Sequence, residues 1–268
     1  MAQTIKRYEH ILLEREGPIA TLSLNRPERL NALYTPVFEE FVDAVEALGG
    51  DASVRVVIVT GEGRAFCAGG DIDLDVAKVG EWDPATMIYE NEVAHRMIFG
   101  LLGLPKPVIA RVNGPAVGGG CDLALACDIV IASTDASFGE FWIRRGLTPG
   151  MGGAYFLPRL VGTHLAKQIL FTGELVEAQR AADIGMINLA VAPDDLDAEV
   201  IKLATHLAGM PTIAIRAVKK LVDSAFDMGL AEHFHTTTYA AHFVSQTQDY
   251  AEGVAAFKEK REPNFQGR

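Results

Sequence analysis

Two glycine-rich turns, about fifty residues apart, carry the residues of this sequence best suited to chemistry. The first is Phe66-Cys67-Ala68-Gly69-Gly70-Asp71. The second is Asn113-Gly114-Pro115-Ala116-Val117-Gly118-Gly119-Gly120-Cys121-Asp122. Small residues let a ligand approach the backbone closely. The second turn opens a helix, and a helix start leaves N–H groups unpartnered at the positive end of the dipole. Such amides suit an oxygen that gains negative charge during reaction. Asp122 adds a carboxylate able to move a proton, although it also fits a structural helix position. Taken singly, three glycines fit close packing as well as they fit a site.

Other chemistries find less support. Gly61-Glu62-Gly63 follows an apolar run, as in a dinucleotide-binding turn, but Phe66 stands where the third glycine belongs. Cys67, Cys121 and Cys127 are odd in number and lack zinc or redox spacing, so they read as small buried side chains.

Strands and helices must hold the two turns. Residues 19–24 alternate like a strand that Asn25-Arg26-Pro27 ends. Thr35-Pro36 opens a helix with Val37, Phe38, Phe41, Val45 and Leu48 on one face, stopped by Gly49-Gly50. Residues 54–60, 108–112 and 129–132 are apolar, β-branched runs suited to buried strands. The first two thirds therefore alternate strands and helices, an α/β core. From Thr163 onward helical spacing dominates, with residues 196–208, 212–226 and 230–244 patterned to pack on a body or on another subunit. The expected division is a core at 1–195 and a helical region at 196–268, with residues 258–263 charged and solvated.

Composition bounds the partners. The chain has 268 residues, 49% hydrophobic, with 35 Asp and Glu against 24 Lys and Arg and a formal net charge of −11. An acidic field opposes general nucleic-acid binding while leaving room for local basic contacts to phosphates. No apolar run reaches the length of a membrane span, and the start lacks a signal core, so a cytoplasmic location is expected.

Taken together, the paired turns resemble those of the crotonase (enoyl-CoA hydratase/isomerase) family. The likeness extends to Asn25-Arg26-Pro27 with Asn31-Ala32-Leu33, to Pro105-Lys106-Pro107, to Pro149-Gly150-Met151-Gly152-Gly153 and to the tail from Phe257. The resemblance implies a ββα spiral core, an acyl-CoA thioester as substrate, and no cofactor beyond the coenzyme A of that substrate. It makes the amides of Ala68 and Gly119 the oxyanion donors. Arg29, Leu30, Ala65, Phe66, Gly69, Asp71, Ile72 and Gly118 would border CoA, with Lys260 and Phe265 reaching CoA near an adjoining subunit. It also implies a homotrimer, or a hexamer formed as a dimer of trimers.

Hydratases of this family use two glutamates; here Asp122 and Trp142 occupy those positions. Tryptophan exchanges no proton at neutral pH, so the sequence departs from two-glutamate hydration. One carboxylate suffices for isomerisation, and a protein that binds acyl-CoA without chemistry is the alternative. Glu140, two residues away, would point to the same face of a strand at a different depth. Tryptophan also stands at this point in the family's 4-chlorobenzoyl-CoA dehalogenases, whose histidine His95 matches. Their nucleophilic aspartate would fall on Gly150, which excludes that mechanism. The loop 73–86 is expected to shape the acyl pocket.

Overall fold

The computed structural model describes residues 3–75 and 83–268. The main sheet has seven strands lying side by side in chain order: β1 (Gln3–Arg7), β2 (Ile11–Glu16), β3 (Ile19–Leu24), β4 (Val56–Gly61), β5 (Val108–Val112), β7 (Ile129–Ser133) and β10 (Leu189–Val191). β1, β2 and β3 pair antiparallel, and every pairing from β3 onward is parallel. A second sheet joins β6 (Ala116–Val117), β8 (Ser137–Gly139) and β9 (Leu175–Glu177).

The helices are α1 (Thr35–Gly50), α2 (Ile72–Asp75), α3 (Pro84–Gly103), α4 (Gly119–Leu125), α5 (Gly153–Val161), α6 (Thr163–Thr172), α7 (Ala178–Asp183), α8 (Leu196–Ala208), α9 (Thr212–Ser224), α10 (Leu230–Val244) and α11 (Gln248–Glu259). All six residues of β4 are buried, because both faces of the parallel strands are covered. Val57, Val59, Val108 and Ala110 face the cluster that includes Phe41 and Leu48 of α1 and Met97 and Leu101 of α3. Val56, Ile58, Ile109 and Ile131 face Leu196, Val200, Ala204 and Ala208 of α8.

The expected division at 196 falls at the first residue of α8, the helix of this second layer. The i, i+4 spacing of its apolar residues seats α8 on the sheet, so it belongs to the body; the helices without a buried residue, α9 and α10, begin after Ala208. As expected, helices dominate from Thr163 onward, with the short strands β9 and β10 completing the two sheets. Among the described residues no helix is long and apolar enough to cross a membrane. Within the expected pocket loop 73–86, residues 76–82 lie outside the described residues.

Candidate active site

Buried strands deliver both turns to one place. After β4, Phe66 anchors the first turn in the core, and Asn31 fastens it by donating to the carbonyls of Glu62 and Ala65, each at 2.9 Å. The second turn follows β5 and is stitched to the first. The Cys67 amide donates to Pro115 at 3.1 Å and the Val117 amide to Cys67 at 2.9 Å. The Gly118 amide donates to Gly139 of β8 at 2.7 Å. Gly118 has φ 54° and ψ −122°, and this non-helical geometry ends the turn and starts α4 at Gly119. A Cβ added at Gly69 would lie 3.4 Å from the Gly119 amide nitrogen. The backbones of the two turns therefore converge.

The two expected oxyanion donors differ in state. As the first residue of α4, Gly119 has an amide with no intrahelical acceptor. Ala68 instead donates to the Leu30 carbonyl at 2.9 Å. Consecutive left-handed residues, Leu30 at φ 51° and Asn31 at φ 57°, follow the 3-10 turn Pro27–Arg29 and turn that carbonyl onto the Ala68 amide. Of the two expected donors, the Ala68 amide is thus engaged within the chain, while the Gly119 amide has no backbone acceptor among the described residues.

Below the Gly119 amide lies a pair of carboxylates. Asp122, in the first turn of α4, is 0% exposed, and Glu140, directly after β8, is 1% exposed. A Cβ at Gly153 would lie 2.6 Å from Asp122 Oδ1 and 2.6 Å from Glu140 Oε1, so both side chains reach the same point. None of their four oxygens has a hydrogen-bond partner, nor does Trp142 Nε1. Burial first, and then the charge of Glu140, push Asp122 well above the ordinary carboxylate range. Burial raises Glu140 as well, against the opposing pull of Cys121, Asp122 and Trp142. The Cys121 thiol, fully buried beside both, is also pushed up by desolvation and stays protonated.

The placement of Glu140 overturns the strand reading. β8 ends at Gly139, and the chain enters a 3-10 turn at Phe141–Arg145, so Glu140 and Trp142 do not alternate along one strand. Glu140 turns inward while Trp142 stays half-buried as a wall. Its ring lies 3.8 Å from a Cβ placed on Gly118 and 3.6 Å from one placed on Gly150. His95 on α3 bonds through Nε2 to the Gly150 carbonyl at 2.9 Å, which ties α3 to this wall. Met151 closes the space beside Gly119, its Sδ 2.7 Å from a Cβ added there.

Several expected CoA contacts have other partners in the chain. Asp71, buried, holds Arg26 at 3.0 Å and Arg29 at 3.1 Å. Burial raises its pKa, but the bonds to Arg29 and Arg26 outweigh that and leave it lowered. Arg29 also pairs with Asp73 at 2.6 Å and keeps an exposed guanidinium edge. The Phe66 ring is enclosed in the core, so that residue offers a ligand only backbone, whereas Ile72 is exposed. Lys260 is exposed and caps α11 at φ 57°. Phe265 packs its ring 3.5 Å from a Cβ on Gly253 and accepts from Arg55, so the tail docks on its own chain. Residues 258–262 are exposed, as expected, with Arg261 pairing on the surface with Glu252 and Glu259, each at 2.6 Å. A groove of about 1010 Å³ between the β2–β3 hairpin and α8 contains none of these site residues.

Residues 14–268 match the family model described as enoyl-CoA hydratase/isomerase. The chain belongs to that family. It is 38% identical over 264 residues to a crotonyl-CoA hydratase of Syntrophomonas wolfei, covering 96% of this chain and 98% of the relative. It is 36% identical to a 1,2-epoxyphenylacetyl-CoA isomerase of Escherichia coli K12, covering 97% and 99%. A solved structure of a putative enoyl-CoA hydratase from Streptomyces coelicolor A3(2) superposes with a TM-score of 0.94 at 35% identity, covering 100% and 98%. The crotonase α/β fold with its helical C-terminal region is therefore the fold of this enoyl-CoA hydratase/isomerase family member, and the chain is an acyl-CoA-processing enzyme. Sequence reasoning placed its glycine turns and Asp122, and missed the inward turn of Glu140 and the plug formed by Met151. The short run Ser137–Gly139, itself ending in a glycine, was the available signal that the strand stops ahead of Glu140.

Proposed function

We propose that this enzyme binds an acyl-CoA thioester with its carbonyl oxygen on the Gly119 amide and moves a proton at the α-carbon through Asp122. The observation that carries this reading is the open amide at the start of α4 with a buried carboxylate in the helical turn beneath it. An enolate oxygen gains charge as the α-proton leaves, and a preorganised amide favours that state over the neutral thioester. Ala68 is the second donor once the thioester oxygen takes the place of the Leu30 carbonyl. A charged acceptor makes a stronger bond than a neutral carbonyl, which favours the exchange. Trp142 and Met151 would wall the acyl group. CoA would lie along Leu30, Ala65 and Gly69 to Ile72, with Arg29 and the exposed Lys260 available to phosphates.

The reaction either adds water across the double bond of an enoyl-CoA, hydroxyl to the β-carbon and proton to the α-carbon, or migrates that double bond by proton transfer; neither changes the net oxidation state, so no redox cofactor is called for. Assembly into trimers is part of the proposal. Val222, Phe226, Phe234 and Phe243 of the α9–α10 region are more than half exposed, an apolar face suited to subunit contact. We place the enzyme in the cytoplasm.

The test is mass spectrometry of acyl-CoA thioesters incubated in deuterated water, comparing wild type with Asp122→Asn. Exchange of α-hydrogens that the variant loses is the expected result. Binding without exchange or turnover by the wild type would identify an acyl-CoA-binding protein instead. Sedimentation equilibrium checks assembly, and a stable monomer would count against it.

A further inference from the structure

The two carboxylates at the floor of the site pose a physical problem whose solution bears on mechanism. An ionised carboxylate only accepts hydrogen bonds, and the four buried oxygens gathered here lack a hydrogen-bond partner, with Asp122 Oδ1 and Glu140 Oε1 reaching one point. Two like charges enclosed together are unfavourable, and a single proton placed between them removes the repulsion and satisfies an oxygen on each side. The surroundings supply little else. From α4 comes the Cys121 thiol, and from the 3-10 turn the Trp142 indole N–H. The Met151 and Gly153 amides approach Asp122 from the start of α5. From α3, His95 is engaged by the Gly150 carbonyl. No Lys or Arg is among these groups.

We propose that Asp122 and Glu140 share one proton and work together as the acid and base of this site, Glu140 supplying the second carboxylate that position 142 lacks. The inference rests on the acyl-CoA reading above and deepens it. Glu140 is fixed to the oxyanion turn, because the residue before it, Gly139, accepts the Gly118 amide. A pair holding one proton closes the cycle in either reaction. In hydration, the ionised member takes a proton from water as the water oxygen bonds to the β-carbon. The π electrons pass into the thioester enolate, the protonated member then delivers its proton to the α-carbon, and the pair again holds one. In double-bond migration, the ionised member removes a proton from one carbon and the protonated member supplies one to the other.

The experiment uses the full-length, assembled protein with crotonyl-CoA and the thioesters found to exchange. Glu140→Gln should lower hydration or exchange about 100-fold or more while leaving thioester affinity within about threefold, and should remove one limb of the pH–rate profile. Glu140→Asp should restore part of the rate. A Glu140→Gln rate within about tenfold of wild type with an unchanged pH profile would overturn the pair. Infrared spectra at neutral pH give a readout that needs no turnover: a carboxylic-acid carbonyl band perturbed in both Asp122→Asn and Glu140→Gln is expected. Absence of that band, or its indifference to both substitutions, would also overturn it. Wild type that binds thioesters without exchange but shows the band would sink the acyl-CoA chemistry, whereas wild type that turns over without the band would sink the shared proton alone.

Discussion

Glu140→Gln should make stability less dependent on pH. Burial raises both Asp122 and Glu140, so the folded chain keeps a proton that the unfolded chain releases above roughly pH 4. For carboxylates shifted upward, the stabilising contribution is fully present below the unfolded pKa and is lost as pH rises toward the folded pair's titration. One retained proton corresponds to a slope of about 1.4 kcal/mol per pH unit. Between pH 5 and pH 7 the loss amounts to roughly 2.7 kcal/mol, a substantial part of the 5–15 kcal/mol that holds a typical domain folded. Glutamine keeps the shape of glutamate, offers Asp122 an amide donor and removes the like charge, so only burial still favours the protonated Asp122 and less of the proton is retained. The variant should therefore have a flatter profile and gain on wild type as pH rises. Carboxylates with lowered pKa, such as Asp71 and Glu252, impose the opposite slope, but they are common to both proteins and cancel in the difference. Urea-unfolding midpoints across pH 5 to 8 at one fixed protein concentration provide the assay, since association shifts apparent stability. Parallel wild-type and variant profiles would refute the retained proton.

Other substitutions probe the backbone and the floor. Ala68→Pro deletes the amide that donates to Leu30 and that the mechanism gives to the thioester oxygen; turnover should fall about 10²- to 10³-fold, and unchanged α-proton exchange would remove position 68 from the oxyanion hole. Gly153→Ala places a methyl carbon 2.6 Å from both carboxylates, and the crowding should lower stability by about 1–3 kcal/mol in thermal melts. An unchanged midpoint would mean that the pair has room to separate. Asp71→Asn leaves the partly buried Arg26 without its carboxylate, and urea unfolding at neutral pH should report a loss of about 3 kcal/mol or less, reduced to the extent that solvent screens Arg26 and Arg29. Because its pKa is lowered, that contribution exists above the ordinary carboxylate range and disappears on acidification, so the gap to wild type should close at low pH.

The parts of the site made of backbone were legible in the sequence. Gly118, Gly119 and Gly120 after an apolar run announce a helix start, and the structure begins α4 at Gly119. The buried runs at 54–60 and 108–112 became β4 and β5 within two residues. What escaped depends on where side chains turn, and that is decided by partners distant in the chain. Glu140 leaves the strand direction because β8 ends at Gly139, whose carbonyl is held by Gly118. The engagement of Ala68 depends on Leu30 in a left-handed conformation that Asn31 secures from the neighbouring turn. Asp71 could not be assigned to Arg26 and Arg29 from sequence, since those residues stand more than forty positions away.

If Glu140 is the second acid, as proposed, the division between backbone and side-chain functions is what lets the site keep its oxyanion amide while a carboxylate moves. The Gly119 amide is placed by the stitching of two turns through Cys67, Val117 and Gly139, and no side chain at position 140 or 142 takes part in those bonds. The carboxylate, by contrast, has only to reach the point above Gly153, where the absence of a side chain leaves space for two. A residue two positions earlier arrives at that point because the strand has already ended. Trp142, released from proton transfer, is then free to wall the acyl group between Gly118 and Gly150. On this reasoning, Trp142→Phe should alter the preference among acyl chains, seen as a change in KM between small and aromatic thioesters, and leave the pH–rate profile in place. A shifted profile with unaltered preference would return Trp142 to the proton-transfer machinery.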